Sequence, residues 1–209
     1  MEPFIVGIAG GSGSGKTTLI RLLQSELGSS SVTVISQDDY YLPKEEQICD
    51  SNGEVNFDLP SSIDAPKLVG DLDKLMSGES LNISRYTFNN KSDISETITL
   101  DPRPVLVVEG LFVFHYEELR SQFDLKIFVD AHPKTRFERR LKRDAQERGY
   151  AEHVVKYQWE NHVEPAFRSY LLPHRNTADI IIDNEYDMRE GINQLTRTLR
   201  EEVAPRVSI

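Results

Sequence analysis

Gly10-Gly11-Ser12-Gly13-Ser14-Gly15-Lys16-Thr17 satisfies the spacing G-x-x-x-x-G-K-[ST]. Glycines at this density let successive backbone N–H groups curl around phosphate oxygens without Cβ clashes. A helix opening directly after them adds unpaired donors and a positive dipole end. Lys16 then offers a mobile cation for β- and γ-phosphates, and the Thr17 hydroxyl is a candidate Mg²⁺ ligand. These eight residues and Thr18 behind them form a candidate nucleotide-phosphate site. A flexible Gly/Ser linker is the plain alternative, but a linker has no reason to end in Gly-Lys-Thr between an apolar run and an amphipathic one.

Three carboxylates follow at places where such a site would use them. Ser36-Gln37-Asp38-Asp39-Tyr40-Tyr41 comes straight after the apolar run Val32-Thr33-Val34-Ile35. Adjacent acids there can cap a turn. Beside a triphosphate, an acid instead accepts the proton of an acceptor hydroxyl or holds Mg²⁺. Asp38 comes first. Val105-Leu106-Val107-Val108-Glu109-Gly110 puts Glu109 at the end of a continuous apolar run, where an acid holds Mg²⁺ in phosphate-binding folds. Arg136, Arg139, Arg140, Lys142, Arg143 and Arg148 crowd one short stretch. Glu138, Asp144 and Glu147 could neutralise them as a solvated face. Arg136, Arg140 and Arg143 nevertheless share a helical face, and arginine forks suit phosphate oxygens, so the stretch reads as a phosphate-facing lid.

These groups need elements to hold them. Residues 4–9 predict a buried strand, 17–27 a helix closed by Gly28, and 32–35 a second strand, which together make a βαβ unit. In a parallel sheet the ligand crevice lies beyond the carboxyl ends of the strands, so Asp38 should face Lys16. Residues 43–56 are polar and read as a loop expected to move. Asp64 predicts a helix cap, with the helix running to 76 and closing at Gly78. Residues 83–88 and 96–100 predict a projecting hairpin. Further strands fall at 104–110, 125–129 and 178–182. Helices fall at 133–148, at 153–170 with a break at Pro165, and at 188–203. Trp159 reads as core. The expectation is one α/β domain over 1–209: a five-stranded parallel sheet flanked by helices, with a hairpin insertion at 81–101 and a helical lid at 133–150.

Bulk properties narrow the partners. A formal charge of −10 opposes a general nucleic-acid surface. Cys49 is the only cysteine, which excludes an intrachain disulfide and a cysteine-built metal site and fits a reducing compartment. The first apolar run is too short for a signal peptide, and no stretch approaches a membrane span, so a cytoplasmic location is expected.

The set 10–17, 36–41, Asn56-Phe57-Asp58-Leu59-Pro60, Arg85-Tyr86-Thr87-Phe88, Glu109-Gly110, Thr135-Arg136 through Glu147-Arg148-Gly149, and Glu164-Pro165-Ala166-Phe167 resembles the uridine kinase (uridine–cytidine kinase) family. The resemblance runs over residues 4–182 and implies a P-loop nucleoside-kinase fold. It also implies ATP as co-substrate with Mg²⁺, transfer to a ribose 5′-hydroxyl, and a homo-oligomer, often a tetramer. On matching positions it implies that Asp38 is the base, with Thr17 and Glu109 completing the magnesium environment. Asp58 and Arg140, assisted by Gln158, would contact the ribose hydroxyls. Tyr41, Tyr86 and Phe88 would be pocket aromatics, and Arg143 and Arg148 lid cations. Lys91 stands where the family commonly has a histidine reading the pyrimidine, and Tyr150 where Glu-Arg-Gly is normally followed by arginine. Both replacements fall on base readout, which can shift specificity by orders of magnitude. Two alternatives to a uridine or cytidine kinase therefore stand: the same chemistry on another riboside or sugar-like alcohol, or a nucleotide sensor without kinase activity.

Overall fold

A computed structural model describes residues 2–28, 30–87 and 96–203. Phe88 and Lys91, two of the expected pocket residues, lie outside them.

Five parallel strands form the main sheet in the order β2-β5-β1-β6-β7. They are β1 (Phe4–Gly10), β2 (Val32–Ser36), β5 (Val105–Gly110), β6 (Leu125–Asp130) and β7 (Ile180–Asp183). β1 is the centre: Phe4 pairs with Val105 on one side, and Gly10 with Val129 on the other. Every residue of β1 is buried, as expected of a β-branched run covered on both faces. Alternate side chains supply opposite layers. Ile5 and Ala9 pack with Leu68, Leu72 and Leu75 of α2 (Ala65–Met76). Phe4, Val6 and Ile8 pack instead with Leu19 and Leu23 of α1 (Lys16–Leu27) and with Leu195 and Leu199 of α8 (Arg189–Val203).

The local signals that predicted α2 are its actual ends. Asp64 accepts a hydrogen bond from the Lys67 N–H at 3.1 Å, and Gly78 adopts φ 92° just beyond the helix. β3 (Leu81–Ser84) and β4 (Thr97–Leu100) form an antiparallel pair separate from the main sheet, as expected, but the first strand lies at Leu81–Ser84 and does not run through Arg85, Tyr86 and Thr87. Leu81, Ile83 and Leu100 anchor it in the same apolar layer as α2.

Three expectations change. Residues 43–56 are tied down rather than loose: they fold back on themselves through Asp50 N–H to Glu54 C=O (2.8 Å) and Asn56 N–H to Ile48 C=O (2.8 Å). Pro165 does not break its helix. α5 (Glu152–Gln158) passes through a π turn (Trp159–Val163) into α6 (Glu164–Ala166), and a second π turn (Phe167–Leu171) leads into α7 (Leu172–Arg175). Pro165 and Pro173 each stand second in the segment after a π turn. The wider turn relieves the clash that a proline ring makes with the carbonyl four residues back. Trp159 is half-buried rather than core, with its ring 5.3 Å from Phe137 and beneath the Arg136 guanidinium.

Among the described residues, no helix is long and apolar enough to cross a membrane.

Candidate active site

The glycine-rich turn between β1 and α1 is held from behind. Gly13 and Gly15 take φ 78° and 105°, which L side chains rarely adopt. A Cβ on Gly13 would run into the Arg136 carbonyl, and one on Gly15 into the Asn184 amide. Asn184 Nδ2 also donates to the Ser14 carbonyl at 2.7 Å, and Ser14 N–H donates to Gly11 C=O at 3.0 Å. Gly10, Gly11 and Ser14 thus form the buried back of the turn. Ser12, Gly13, Gly15, Lys16, Thr17 and Thr18 line a cleft of about 360 Å³, a size suited to a small ligand. Lys16 Nζ donates to Gly10 C=O at 2.9 Å. Burial lowers its pKa, against the opposing pull of Glu109 and Asp38.

The strand ends bring the acids to this lysine. Ser36 and Glu109 are register partners across β2 and β5, and Ser36 Oγ donates to Glu109 Oε1 at 2.6 Å. Burial raises the Glu109 pKa; Lys16 and the Ser36 hydrogen bond pull it back, and Asp38 pushes it further up. Asp38 sits on the 3-10 turn Gln37–Tyr40, whose entry Ser36 caps, and lines the same cleft as Lys16, Thr17 and Glu109. Gln37 fixes that turn by accepting from the Phe112 N–H at 2.9 Å. Thr17, Asp38 and Glu109 therefore offer a hydroxyl and two carboxylates to one cleft, an oxygen-donor set that suits Mg²⁺.

Tyr41, Asp58, Gln158 and Tyr150 line the same cleft. Burial raises the Asp58 pKa, with Arg140 the strongest opposing influence. Arg140 donates to Gln158 Oε1 at 3.0 Å, so two of the expected ribose contacts are already joined. Tyr41 packs edge-on against Phe57 at 5.9 Å and tilted against Tyr86 at 5.2 Å. The Tyr86 N–H donates to Asp39 Oδ1 at 3.1 Å, which ties the hairpin to the turn bearing Asp38.

The basic helix α4 (Pro133–Glu147) divides its arginines between two jobs. Arg140, Arg143 and Arg148 line the cleft, and Arg140 and Arg143 reach the phosphate turn through Ser12 Oγ at 3.1 and 3.4 Å. Burial, and then Arg143, lower the Arg148 pKa. Arg136 does not share their task, contrary to the helical-face reading. It is fully buried behind Gly11, with its guanidinium 3.8 Å from the Phe167 ring centre and 3.1 Å from Glu164 Oε2. A small rotation around the helix separates facing the cleft from supporting its floor. Arg139 lines the cleft instead.

Sequence reasoning misplaced one group and missed another. Asp144, read as part of a neutralising solvated face, is instead fully buried and pairs with Arg140 (3.2 Å), Arg143 (2.8 Å) and Arg148 (3.4 Å), so one carboxylate gathers three cleft cations. Its spacing from Arg140 and Arg148, four residues each way, carried the pairing but not the burial. His162 is buried, lines the cleft, and is held by Asp50 from a distant loop, which no local pattern announces.

Residues 5–188 match the model of the phosphoribulokinase/uridine kinase family. The chain belongs to this family. Among similar proteins is a uridine kinase of Deinococcus deserti, 37% identical over 200 residues, covering 96% of this chain and 97% of that one. Another is uridine-cytidine kinase B of Dictyostelium discoideum, 34% identical over 207 residues, covering 99% and 85%. The fold matches phosphoribulokinase from Rhodobacter spheroides with a TM-score of 0.63 at 16% identity, covering 87% of this chain and 70% of that one. It also matches a possible uridine kinase from Bacillus stearothermophilus with a TM-score of 0.58 at 20% identity, covering 87% and 89%. The family relation and the parallel sheet agree with the resemblance read from the motifs.

Proposed function

We propose that this protein transfers the γ-phosphoryl group of ATP to the 5′-hydroxyl of uridine or cytidine. The observation that carries the proposal is that Lys16, Thr17, Asp38 and Glu109 share one cleft with Asp58, Arg140 and Gln158. Groups suited to phosphates thereby share one cleft with groups suited to hydroxyls. The relatives named uridine kinase and uridine-cytidine kinase, at 34–37% identity, support the choice of acceptor.

In this reading the turn at 10–18 cradles the triphosphate with backbone N–H groups, and Lys16 neutralises its terminal oxygens. Thr17 and Glu109, with Asp38 lining the same cleft, would hold Mg²⁺, which would supply positive charge to offset that of the phosphates. Asp38 orients the 5′-hydroxyl and accepts its proton. Asp58 and Arg140, backed by Gln158, hold the ribose hydroxyls, while Arg143 and Arg148 stabilise charge on the transferring group. The 209 residues act as one kinase domain, with 133–150 as lid.

A screen of ATP consumption over uridine, cytidine, other ribosides and sugar phosphates tests the proposal. Saturable turnover on uridine or cytidine is expected. Turnover confined to another riboside would favour the second reading, which is motivated by Tyr150 on the cleft wall. ATP binding with no turnover on any acceptor would reject kinase function.

A further inference from the structure

His162 sits on the first π turn, 3% exposed, on the wall of the cleft that also holds Asp58 and Arg140. Its Nε2 is 2.8 Å from Asp50 Oδ2. An ionised carboxylate only accepts, so Nε2 carries the proton, which leaves a lone pair on Nδ1 in the neutral ring. Asp50 is itself fixed: its Oδ1 accepts from the Asn52 and Glu54 N–H groups at 2.8 and 3.0 Å, and its Oδ2 accepts from Tyr157 OH at 2.5 Å. The Tyr157 ring stands edge-on to the imidazole at 5.7 Å and 89°. The ring is thus held along one edge and by one neighbour. Among the described residues, Nδ1 has no hydrogen-bond partner.

An acceptor on the wall of a ligand cleft that no protein donor satisfies can take its donor from the ligand. The neighbouring groups define its chemistry. Asp58 contributes a second acceptor, while the Gln158 carbonyl is already taken by Arg140. Two acceptors beside one guanidinium repel phosphate oxygens and match a pair of adjacent O–H groups.

We infer that His162, oriented by Asp50, is a further acceptor-binding residue whose Nδ1 takes a hydrogen bond from one of the vicinal ribose hydroxyls. This rests on the reading of the cleft as a riboside 5′-kinase site. Asp50 is then a positioning residue, and the tied-down loop at 43–56 is part of the acceptor site.

The test is steady-state kinetics of the full chain with ATP and Mg²⁺ on uridine, 2′-deoxyuridine and 3′-deoxyuridine. His162→Phe should lower kcat/KM for uridine by about tenfold, chiefly through KM, the scale of one lost hydrogen bond. The KM for ATP should stay within about twofold. For one deoxyriboside the loss should be much smaller, so that discrimination against it collapses, and His162→Gln should restore part of it. An equal loss on all three acceptors, or none, overturns the inference while leaving the proposed function standing. If wild-type protein phosphorylates none of the three, the proposed function fails and this inference falls with it. Should His162→Phe not fold, Asp50→Asn carries the test: a partial collapse of the same ratio supports the inference, and an unchanged ratio overturns it.

Discussion

Ser36 Oγ donates a 2.6 Å hydrogen bond to Glu109 Oε1 between two residues that are direct partners in the β2–β5 register. The bond favours the ionised carboxylate, whereas burial favours the protonated one and wins, so the Glu109 pKa lies above its ordinary value. If Glu109 must be ionised to hold Mg²⁺, activity is lost as pH falls through that raised pKa. Removing a hydrogen bond to the charged form raises the pKa again. Ser36→Ala should therefore move the acid limb of the kcat/KM profile to higher pH, as measured over roughly pH 5–8. A limb that stays in place would show that Glu109 ionisation does not control the acid side.

Asp38 shares the cleft with Lys16 and Glu109 on a turn fixed by Gln37 and Ser36, so substituting it need not disturb the phosphate turn. As the general base, its loss should lower kcat by about 10²–10⁴. Asp38→Asn should still bind ATP in a calorimetric titration. Near-normal kcat on the best acceptor would reassign the base.

Asp144 gathers Arg140, Arg143 and Arg148 with its own side chain only 1% exposed. Asp144→Ala would leave the buried Arg140 without that partner and let the other two repel it. Breaking a buried ion pair on one side costs about 3–5 kcal/mol, and the solvent reach of Arg143 and Arg148 places the expected loss toward the lower end. Urea unfolding reads the stability, and the KM for ATP should rise together with it. A loss well under ~1 kcal/mol, the level of an exposed pair, would mean that the arginines find other partners.

What the sequence disclosed, and what it withheld, divides along physical lines. The phosphate turn was legible because glycine spacing, lysine and strand–helix context coincide within Gly10-Gly11-Ser12-Gly13-Ser14-Gly15-Lys16-Thr17. α2 was legible because Asp64 and Gly78 mark its ends, and β5 because Val105-Leu106-Val107-Val108 is unbroken. α4 was legible as a helix from Pro133, but not its buried face: that face is Arg136, Arg140 and Asp144, spaced four apart, and a search for apolar periodicity does not see an ionic face. Pro165 reads as a helix break because the π turn that accommodates it leaves no compositional mark. The Asp50–His162 contact joins residues 112 apart, so only the fold could reveal it.

The glycines offer a contrast that separates loop geometry from helix propensity. Gly13 has φ 78°, and a Cβ there would press on the Arg136 backbone carbonyl, which has no flexible side chain to yield. Gly13→Ala must therefore carry both the left-handed strain, about 1–2 kcal/mol, and a displacement of the turn from α4. The displacement reaches the N–H groups meant for phosphate, so ATP affinity should fall by well over about tenfold, since 1.4 kcal/mol corresponds to that factor. Gly70 lies inside α2, and apart from its chain neighbours and the helix's own backbone no atom comes within 4 Å of the Cβ position. Gly70→Ala should stabilise the fold by about 0.5–1 kcal/mol through helix propensity and leave ATP affinity unchanged. Calorimetric ATP titration and urea unfolding on the pair check both arms. If Gly13→Ala binds ATP as wild type does, the packing of α4 against the turn does not set the phosphate geometry.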